Sequence, residues 1–313
     1  MSIPKAFLFA GQGAQYIGMG RDLCEAFPES KAVFDQADQV LGFSLSGLCL
    51  EGPNEELIKT NNCQPAILTA TIAAFRAFEA RYPVLIGDAG YTAGLSLGEY
   101  SALVAAGALN FEDAVYLVRK RGEFMEEEAL KKPGKMLSLI GLDLEGVKKV
   151  CASTNTEIAN LNCPGQTVIS GGAKEIGEAE QVAKGLGVKK AILLEVSGAF
   201  HSSLMHGASL RLAKELEKIK VQAPKIRVVS NVTAQFTTNP LEIKDNLIRQ
   251  VSTSVFWEDS MKLILSNGVS NFIEFGPGKV LKGLMRRIDQ QAKVANIDKK
   301  DDILTFNANL IGE

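Results

Sequence analysis

Gly94-Leu95-Ser96-Leu97-Gly98 lies between Tyr91–Ala93, a run typical of a β-strand, and Leu97–Ala106, a run typical of a helix. A Gly-x-Ser-x-Gly sequence in this setting predicts a nucleophile elbow, a turn so tight that the positions two before and two after the serine must lack Cβ. The N–H groups and dipole at the helix start would favour negative charge beside the serine hydroxyl. The alternative is a glycine-bracketed turn in which the serine only caps the helix.

The composition is that of a soluble globular protein. Of the 313 residues 46% are hydrophobic, and the formal net charge is −2. This length allows a large core, and the balanced charge argues against a disordered or nucleic-acid-coating chain. The apolar run at residues 6–10 is too short for a signal peptide or a membrane anchor. We therefore expect a cytoplasmic monomer without membrane or nucleic-acid contacts, and an organelle form with a trimmed targeting segment stays open.

The cysteines do not predict a metal site or a disulfide framework. They are odd in number and scattered, without a Cys-x-x-Cys pair or a nearby histidine, which is typical of reduced, mostly buried thiols. We expect no metal and no cofactor. The five are Cys24, Cys49, Cys63, Cys151 and Cys163.

Short apolar strands alternate with amphipathic helices along the chain, which predicts an α/β fold with a mainly parallel sheet. The strands predicted for this sheet are Lys5–Ala10, Tyr91–Ala93, Arg227–Ser230 and Asn271–Phe275. The helices predicted around them cover the twenties to about Val40, Ala66–Arg81, Leu97–Ala106, Phe111–Leu130, Ser203–Lys220 and Leu241–Val251.

The pattern changes within residues 132–197, where the predicted order is strand, helix, two strands, helix, strand. This β-α-β-β-α-β order is typical of a ferredoxin-like domain. Pro133-Gly134 and Ser197-Gly198 are suitable boundaries. We therefore predict a large α/β domain made of residues 1–131 and 198–313, with a small ferredoxin-like domain inserted at 132–197. A cleft between two domains is a natural substrate site.

A serine nucleophile needs a base, and the chain has only two histidines. His201 follows the predicted insert in a loop before a helix, so it is the candidate general base, although a structural role stays open. His206 falls within the helix, where a structural or solvated imidazole is expected. No carboxylate is evident as the third member of a triad, so a backbone carbonyl is the candidate that orients the imidazole.

Gly11-Gln12-Gly13 directly follows the first predicted strand. The loop lacks the third glycine of a dinucleotide-binding fingerprint and the Gly-Lys-Ser/Thr of a P-loop. A glycine loop of this kind can aim a backbone N–H into a site. The N–H groups of Gln12 and Leu97 would then form a two-donor oxyanion hole. A simple tight turn is the alternative.

Arg121 falls on the apolar stripe of the helix that begins near Phe111. A buried guanidinium stays charged and must find an anion. That anion is either a structural Asp or Glu or the carboxylate of a substrate, held by a bidentate fork.

Taken together, these motifs resemble the malonyl-CoA:acyl carrier protein transacylases of fatty-acid synthesis and the related acyltransferase domains of polyketide synthases. The resemblance spans nearly the whole chain, and the order and spacing of the motifs match the family. The matching segments are Phe7–Gln15, Gln64–Ala66, Gly94–Tyr100, Arg121-Gly122, Asn162–Gln166, Gly198–His201, Ser230–Val232 and Glu274–Gly278.

The resemblance implies an acyltransferase with an α/β-hydrolase-like large domain and a ferredoxin-like insert. It implies malonyl-CoA and acyl carrier protein as substrates, and a malonyl-serine intermediate in a ping-pong reaction. The roles it implies are nucleophile for Ser96, base for His201, oxyanion hole for the N–H groups of Gln12 and Leu97, malonyl-carboxylate binding for Arg121, histidine orientation for the carbonyl of Phe256, and cleft lining for Gln64 and Asn162.

Two positions refine the comparison. The family usually has histidine where this chain has Leu95, so packing or polarity beside the nucleophile differs while the base is unaffected. Phe200, directly before His201, resembles the malonyl-selecting form of the family, because its ring leaves little room for a 2-methyl branch.

Overall fold

The fold contains two separate β-sheets surrounded by helices. In the computed structural model, residues 5–307 are described. The strands are β1 (Lys5–Phe9), β2 (Ala89–Gly94), β3 (Gly134–Ile140), β4 (Glu157–Cys163), β5 (Gln166–Gly172), β6 (Lys190–Leu193), β7 (Arg227–Val229), β8 (Phe236–Thr237), β9 (Asn271–Phe275) and β10 (Lys293–Ile297).

The helices fall mainly between these strands, as the sequence pattern predicts for an α/β protein. They are α1 (Arg21–Ala26), α2 (Pro28–Leu41), α3 (Leu45–Glu51), α4 (Asn54–Leu57), α5 (Thr60–Arg81), α6 (Pro83–Gly87), α7 (Gly98–Ala105), α8 (Phe111–Lys131), α9 (Leu144–Thr154), α10 (Ala173–Gly185), α11 (His206–Lys218), α12 (Pro240–Gln250), α13 (Trp257–Ser266), α14 (Val280–Ile288) and α15 (Lys300–Leu304).

The six-stranded sheet has the order β10-β9-β1-β2-β7-β8. All neighbouring pairs are parallel except β7 with β8 at one edge. The mainly parallel sheet is therefore confirmed. Because the carboxyl ends of parallel strands meet at one edge, the loops after β1, β2, β7 and β9 lie close together, and ligands of open α/β sheets bind at this edge.

The four-stranded sheet has the order β4-β5-β3-β6 and is antiparallel throughout. Its strands and the helices α9 and α10 follow each other in the predicted β-α-β-β-α-β order. Apolar residues from both helices pack on one face of this sheet and give it a hydrophobic core of its own. The large sheet has separate cores, and the aromatic centre of one is formed by Phe7, Phe9, Phe75, Phe78 and Phe275.

The edge strands β8 and β10 were not predicted, and the helix predicted over Ala66–Arg81 begins earlier, at Thr60. Two further predicted helices also differ from the structure. The helix expected from the twenties to Val40 is divided at Phe27, whose backbone is extended because Pro28 follows it and starts α2. The helix expected from Ser203 begins with a 3₁₀ turn, Ser203–Met205, and continues as α11. The outermost residues of the predicted large domain, 1–4 and 308–313, lie outside the described residues.

No helix within residues 5–307 is both long and apolar enough to span a membrane. In the same part of the chain, no three His, Cys, Asp or Glu side chains cluster in a way that could hold a metal ion.

Candidate active site

The predicted strand–turn–helix is present around Ser96. Strand β2 ends at Gly94, α7 begins at Gly98, and Ser96 between them has a φ of 51°, in the left-handed region that non-glycine residues rarely adopt. A Cβ on Gly94 would lie 2.0 Å from the carbonyl carbon of Gly98, and a Cβ on Gly98 would lie 2.2 Å from the carbonyl oxygen of Phe9. Only glycine fits at either position, so the spacing of the pentapeptide follows from close backbone packing.

The fold brings His201 to Ser96. Ser96 Oγ lies 2.8 Å from Nε2 of His201, although the two residues are 105 positions apart. His201 Nδ1 lies 2.7 Å from the main-chain carbonyl oxygen of Gln250. Since a carbonyl only accepts hydrogen bonds, Nδ1 carries the proton and Nε2 is the free acceptor for the serine hydroxyl. This is the tautomer that a general base for Ser96 requires.

The carbonyl that orients His201 was predicted to be that of Phe256, and this is wrong. The oxygen of Phe256 accepts from the backbone N–H and the hydroxyl of Ser260, in the first turn of α13. Gln250 is the last residue of α12, where carbonyls have no partner within the helix, so its oxygen is available to the imidazole.

The imidazole is held in its neutral form. His201 is only 5% exposed. Burial, together with the nearby charge of Arg121, lowers the pKa of His201 to about 4. A free Nε2 lone pair is therefore available over most of the physiological pH range.

Arg121 on α8 is 1% exposed and reaches the nucleophile directly. Its Nη2 donates to Ser96 Oγ at 3.1 Å and to Gln250 Oε1 at 3.0 Å, while Nη1 donates to Gln64 Oε1 at 2.8 Å. Nε of Arg121 is buried without a hydrogen-bond partner among the described residues. All the oxygens that contact the guanidinium are neutral, so a buried cation lies beside Ser96 without an anion in direct contact.

A carboxylate does lie behind this arrangement, on Glu99 of α7, which is 2% exposed. Its Oε2 accepts from Gln250 Nε2 at 2.6 Å and from the backbone N–H of Asn231 at 3.2 Å. Burial raises the pKa of Glu99 to about 7, an increase that these two donors and the charge of Arg121 partly oppose. The amide of Gln250 thus separates the buried carboxylate from the buried guanidinium.

Asn231 and Gln250 also hold the backbone of the strained serine. The N–H of Ser96 donates to Asn231 Oδ1 at 2.6 Å, and Asn231 Nδ2 donates to the carbonyl of Gly94 at 2.8 Å. The carbonyl of Ser96 accepts from Gln250 Nε2 at 3.0 Å and from the N–H of Glu99 at 3.1 Å. Both polar groups of a residue outside regular structure are therefore paired.

The two N–H groups predicted for an oxyanion hole are available. Within residues 5–307, neither the N–H of Gln12 nor that of Leu97 makes a hydrogen bond. Both follow parallel strands that are direct neighbours in the sheet. Leu97 precedes the first residue of α7, where the helix dipole is positive.

The other predicted residues differ in how closely they approach the serine. Gln64 contacts Arg121, and its Nε2 lies 3.5 Å from the sulfur of Met125. Phe200 is 4% exposed, and its carbonyl accepts from the Ser170 hydroxyl of β5. Asn162 is buried on β4, and within residues 5–307 its Oδ1 has no hydrogen-bond partner.

The remaining two positions are not part of the hydrogen-bonded site. His206 is exposed at the start of α11, which agrees with the solvated imidazole among the two expected alternatives. Leu95 packs against an apolar cluster that includes Cys163 of the small sheet and Trp257 of α13, so its role here is one of packing.

Glu99, Asn231 and Gln250 are the site residues that the sequence analysis missed as functional side chains. The clearest available signal was Glu99, an acid in an otherwise apolar stretch, but an acid in a first helical turn is also expected from the helix dipole. Asn231 stood in a matching segment without an assigned role. Gln250 fell in the last turn of a predicted helix, Leu241–Val251, with no feature that set it apart.

The assembled group can perform nucleophilic acyl transfer: a serine with a neutral histidine acceptor, free N–H donors nearby and a buried cation beside the hydroxyl.

Comparisons with known proteins also indicate acyl transfer. The family model described as the acyl transferase domain matches residues 6–299. The chain is 47% identical over 303 residues to the malonyl CoA-acyl carrier protein transacylase of Bacillus subtilis, covering 95% of this chain and 94% of that protein.

Solved structures of malonyltransferases have a closely similar fold. The acyl-carrier-protein-S-malonyltransferase of Bartonella henselae superposes with a TM-score of 0.94 at 38% identity, covering 98% of this chain and 99% of that one. A malonyl-transacylase solved in complex with its type II PKS acyl-carrier protein superposes with a TM-score of 0.93 at 37% identity, with coverage of 98% and 99%.

Proposed function

The chain belongs to the acyl transferase domain family, and we propose that it transfers malonyl from malonyl-CoA to the phosphopantetheine thiol of an acyl carrier protein, supplying extender units for fatty-acid biosynthesis. The observation that carries the proposal is Arg121, a buried cation that donates to Ser96 Oγ and contacts no anion directly. An acyl group that ends in a carboxylate would supply that anion. The relatives named above, which act on malonyl groups and acyl carrier protein, support the same assignment.

The first half-reaction loads the serine. His201 Nε2 takes the hydroxyl proton as Ser96 Oγ attacks the thioester carbonyl of malonyl-CoA. The N–H groups of Gln12 and Leu97 stabilise the negative charge on the tetrahedral oxygen. The C–S bond then breaks, His201 returns the proton to the departing CoA thiolate, and malonyl remains as an ester on Ser96.

The second half-reaction reverses these steps with a different thiol. The phosphopantetheine thiol of the carrier gives its proton to His201 and attacks the ester carbonyl. The same two N–H groups hold the oxyanion, and Ser96 Oγ leaves and recovers the proton. The acyl group passes between two thiols through one serine, which is a ping-pong reaction.

Selection of malonyl follows from burial and charge. An acetyl group would leave the Arg121 guanidinium buried without an anion, which is unfavourable in free energy. A malonyl group would pair its carboxylate with the guanidinium and avoid this cost. Phe200 precedes His201 and would restrict space for a 2-methyl branch, although one methyl group changes selectivity by only about 1–3 kcal/mol.

The proposed architecture accompanies this mechanism. We propose that the six-stranded sheet belongs to an α/β-hydrolase-like large domain, residues 1–131 and 198–313, and that residues 132–197 form a ferredoxin-like domain. His201 follows the segment that leaves the small sheet, and Ser96 follows β2 of the large sheet. Both residues would therefore belong to the large domain, and His201 would lie just after the junction with the small domain, beside the substrate cleft.

Intact-protein mass spectrometry after mixing with malonyl-, methylmalonyl- and acetyl-CoA tests the proposal. We expect covalent malonyl on the wild-type chain and none on Ser96→Ala. A non-catalytic scaffold that retains the fold would gain no mass. A serine esterase would gain it and release the acyl group to water even when carrier protein is present, whereas the proposed enzyme delivers it to the carrier thiol.

A further inference from the structure

The carboxylate of Glu99 has no role in the mechanism above, yet it is hydrogen-bonded to two residues, Gln250 and Asn231, that themselves contact Ser96 or Arg121. It accepts from the amide of Gln250, and that amide contacts both Arg121 and the carbonyl of Ser96. It also accepts from the backbone of Asn231, whose side chain holds the N–H of Ser96. A buried carboxylate in these positions costs desolvation free energy and is stable only when fully hydrogen-bonded.

We propose that Glu99 is a positioning residue for acyl-carboxylate recognition: it fixes the direction of the Gln250 amide, and that amide aims the guanidinium of Arg121. This inference rests on the proposed malonyl transfer. It concerns how the buried cation is held ready, and it assigns Glu99 no contact with substrate.

The direction of the amide follows from donor and acceptor rules. Gln250 presents its NH₂ group to two acceptors, Glu99 Oε2 and the carbonyl of Ser96, and its oxygen to a donor, Arg121 Nη2. Turning the amide over would place NH₂ against the guanidinium and the oxygen against the carboxylate. An ionised carboxylate accepts only, so it excludes the turned arrangement from its side. The short contact to a charged acceptor also polarises the amide and strengthens its oxygen as an acceptor.

Arg121 needs this support because few groups hold it. Gln64 Oε1 accepts a hydrogen bond from Nη1 and Gln250 Oε1 accepts one from Nη2. The centroid of the Tyr100 ring lies 5.8 Å from the guanidinium carbon. If Gln250 turns, one of the two amide oxygens that orient the planar fork is lost. A carboxylate on the acyl group would then meet a misdirected fork, whereas an acyl group without a carboxylate would be little affected.

The pH dependence follows the same contacts. Burial raises the pKa of Glu99 to about 7, so the group is ionised at pH 8 and largely protonated at pH 6. The titratable groups near it are Arg121 on α8, Tyr100 on α7 and His201. The pKa of Tyr100 is raised and that of His201 is lowered to about 4, so neither changes charge between pH 6 and pH 8. Arg121 remains a cation throughout.

The test compares single-turnover loading of Ser96 from malonyl-CoA and from acetyl-CoA at pH 8. In Glu99→Gln the side chain keeps its size and one acceptor oxygen but loses its charge. We expect malonyl loading to fall about 10-fold or more, the scale of a lost hydrogen bond to a charged group. Acetyl loading should change less than about threefold. The matched control is Glu274→Gln, since Glu274 is equally buried and accepts from two N–H groups at the start of α14, and it should leave both rates unchanged.

Two further readouts separate positioning from a structural role. In an Arg121→Ala background, Glu99→Gln should cause no further loss of malonyl loading, because the residue acts through Arg121. In the wild type the ratio of malonyl to acetyl loading should fall between pH 8 and pH 6, and in Glu99→Gln it should stay flat.

Equal losses for malonyl and acetyl, a full additional loss in the Arg121→Ala background, or a gain in malonyl loading would overturn the proposal. If Glu99→Gln shows no cooperative thermal transition, Glu99→Asp takes its place; it keeps the charge and shortens the reach to Gln250, and the malonyl rate should fall at least about threefold more than the acetyl rate. Failure of the wild type to load malonyl at all would instead refute the proposed function.

Discussion

The imidazole Nδ1 of His201 lies 2.7 Å from the main-chain oxygen of Gln250, the position that a carboxylate occupies in a Ser-His-Asp triad. A neutral carbonyl fixes the tautomer as a carboxylate does, but it gives less stabilisation to the imidazolium that forms when His201 takes a proton. Burial and the cation of Arg121 act in the same direction and lower the pKa of His201 to about 4.

This arrangement predicts how the rate depends on pH. The base form of a histidine with a lowered pKa persists as the pH falls and is lost only below about 4, so acetyl loading should keep its rate down to that region. Arg121→Ala removes one of the two causes and should move this acid limb to higher pH. The measurement is the pH profile of acetyl loading in both proteins, and coincident profiles would show that Arg121 has no influence on the base.

The same arginine should control selectivity. We expect Arg121→Ala to reduce malonyl loading by about 10- to 100-fold, because a charge-assisted hydrogen bond is worth about 1.5–3 kcal/mol. Acetyl loading should fall less. Intact-mass measurement of loading from both thioesters checks this, and equal losses would remove the carboxylate role.

Asn231 should matter for stability as well as rate. Asn231→Ala leaves the N–H of Ser96 and the carbonyl of Gly94 without their buried partner. We expect the free energy of unfolding to fall by about 1–3 kcal/mol, together with slower loading of the serine. Denaturant titration against the exposed Gln290→Ala provides the comparison. An unchanged unfolding midpoint would mean that water replaces the side chain.

Local sequence rules were sufficient for the elbow, since Gly94, Ser96 and Gly98 are constrained by contacts within one turn and with β1. They were also sufficient for the element order of the small sheet and for four strands of the large sheet, because strand and helix periods are local, but β8 and β10 were not predicted. They could not assign Glu99, Asn231 and Gln250, which come from three separate segments and acquire their roles only through contacts with each other. Phe256 was assigned from the resemblance alone, and only the fold shows that the free carbonyl beside His201 is that of Gln250, at the end of α12.

Glycine substitutions can test the packing of the elbow. Gly98→Ala would place a Cβ 2.2 Å from the carbonyl oxygen of Phe9, so backbone must move, and we expect a loss of about 3 kcal/mol or more in the free energy of unfolding. Gly177 lies inside α10 with open space around its Cβ position. Gly177→Ala should stabilise by about 0.5–1 kcal/mol. Thermal melting of both variants measures the contrast, and similar melting temperatures would contradict it.

Phe200 should influence which extender is accepted. Phe200→Ala should raise the ratio of methylmalonyl to malonyl loading by about 10-fold, within the range for a methyl-sized change in a pocket. Because Phe200 is 4% exposed, the variant also loses core packing, so Phe200→Leu serves as a milder test that should move the ratio in the same direction. An unchanged ratio in both folded variants would place the methyl-excluding wall elsewhere.

Among residues 5–307, four non-glycine residues have positive φ, and Ser96 and His201 are two of them. Each is kept in that conformation by hydrogen bonds to distant segments rather than by its own strand or helix. A folding intermediate could therefore possess every helix and both sheets and still lack a nucleophile paired with its base. The nucleophile meets its base only when segments far apart in the sequence are packed together, so the elbow alone does not make a reactive serine.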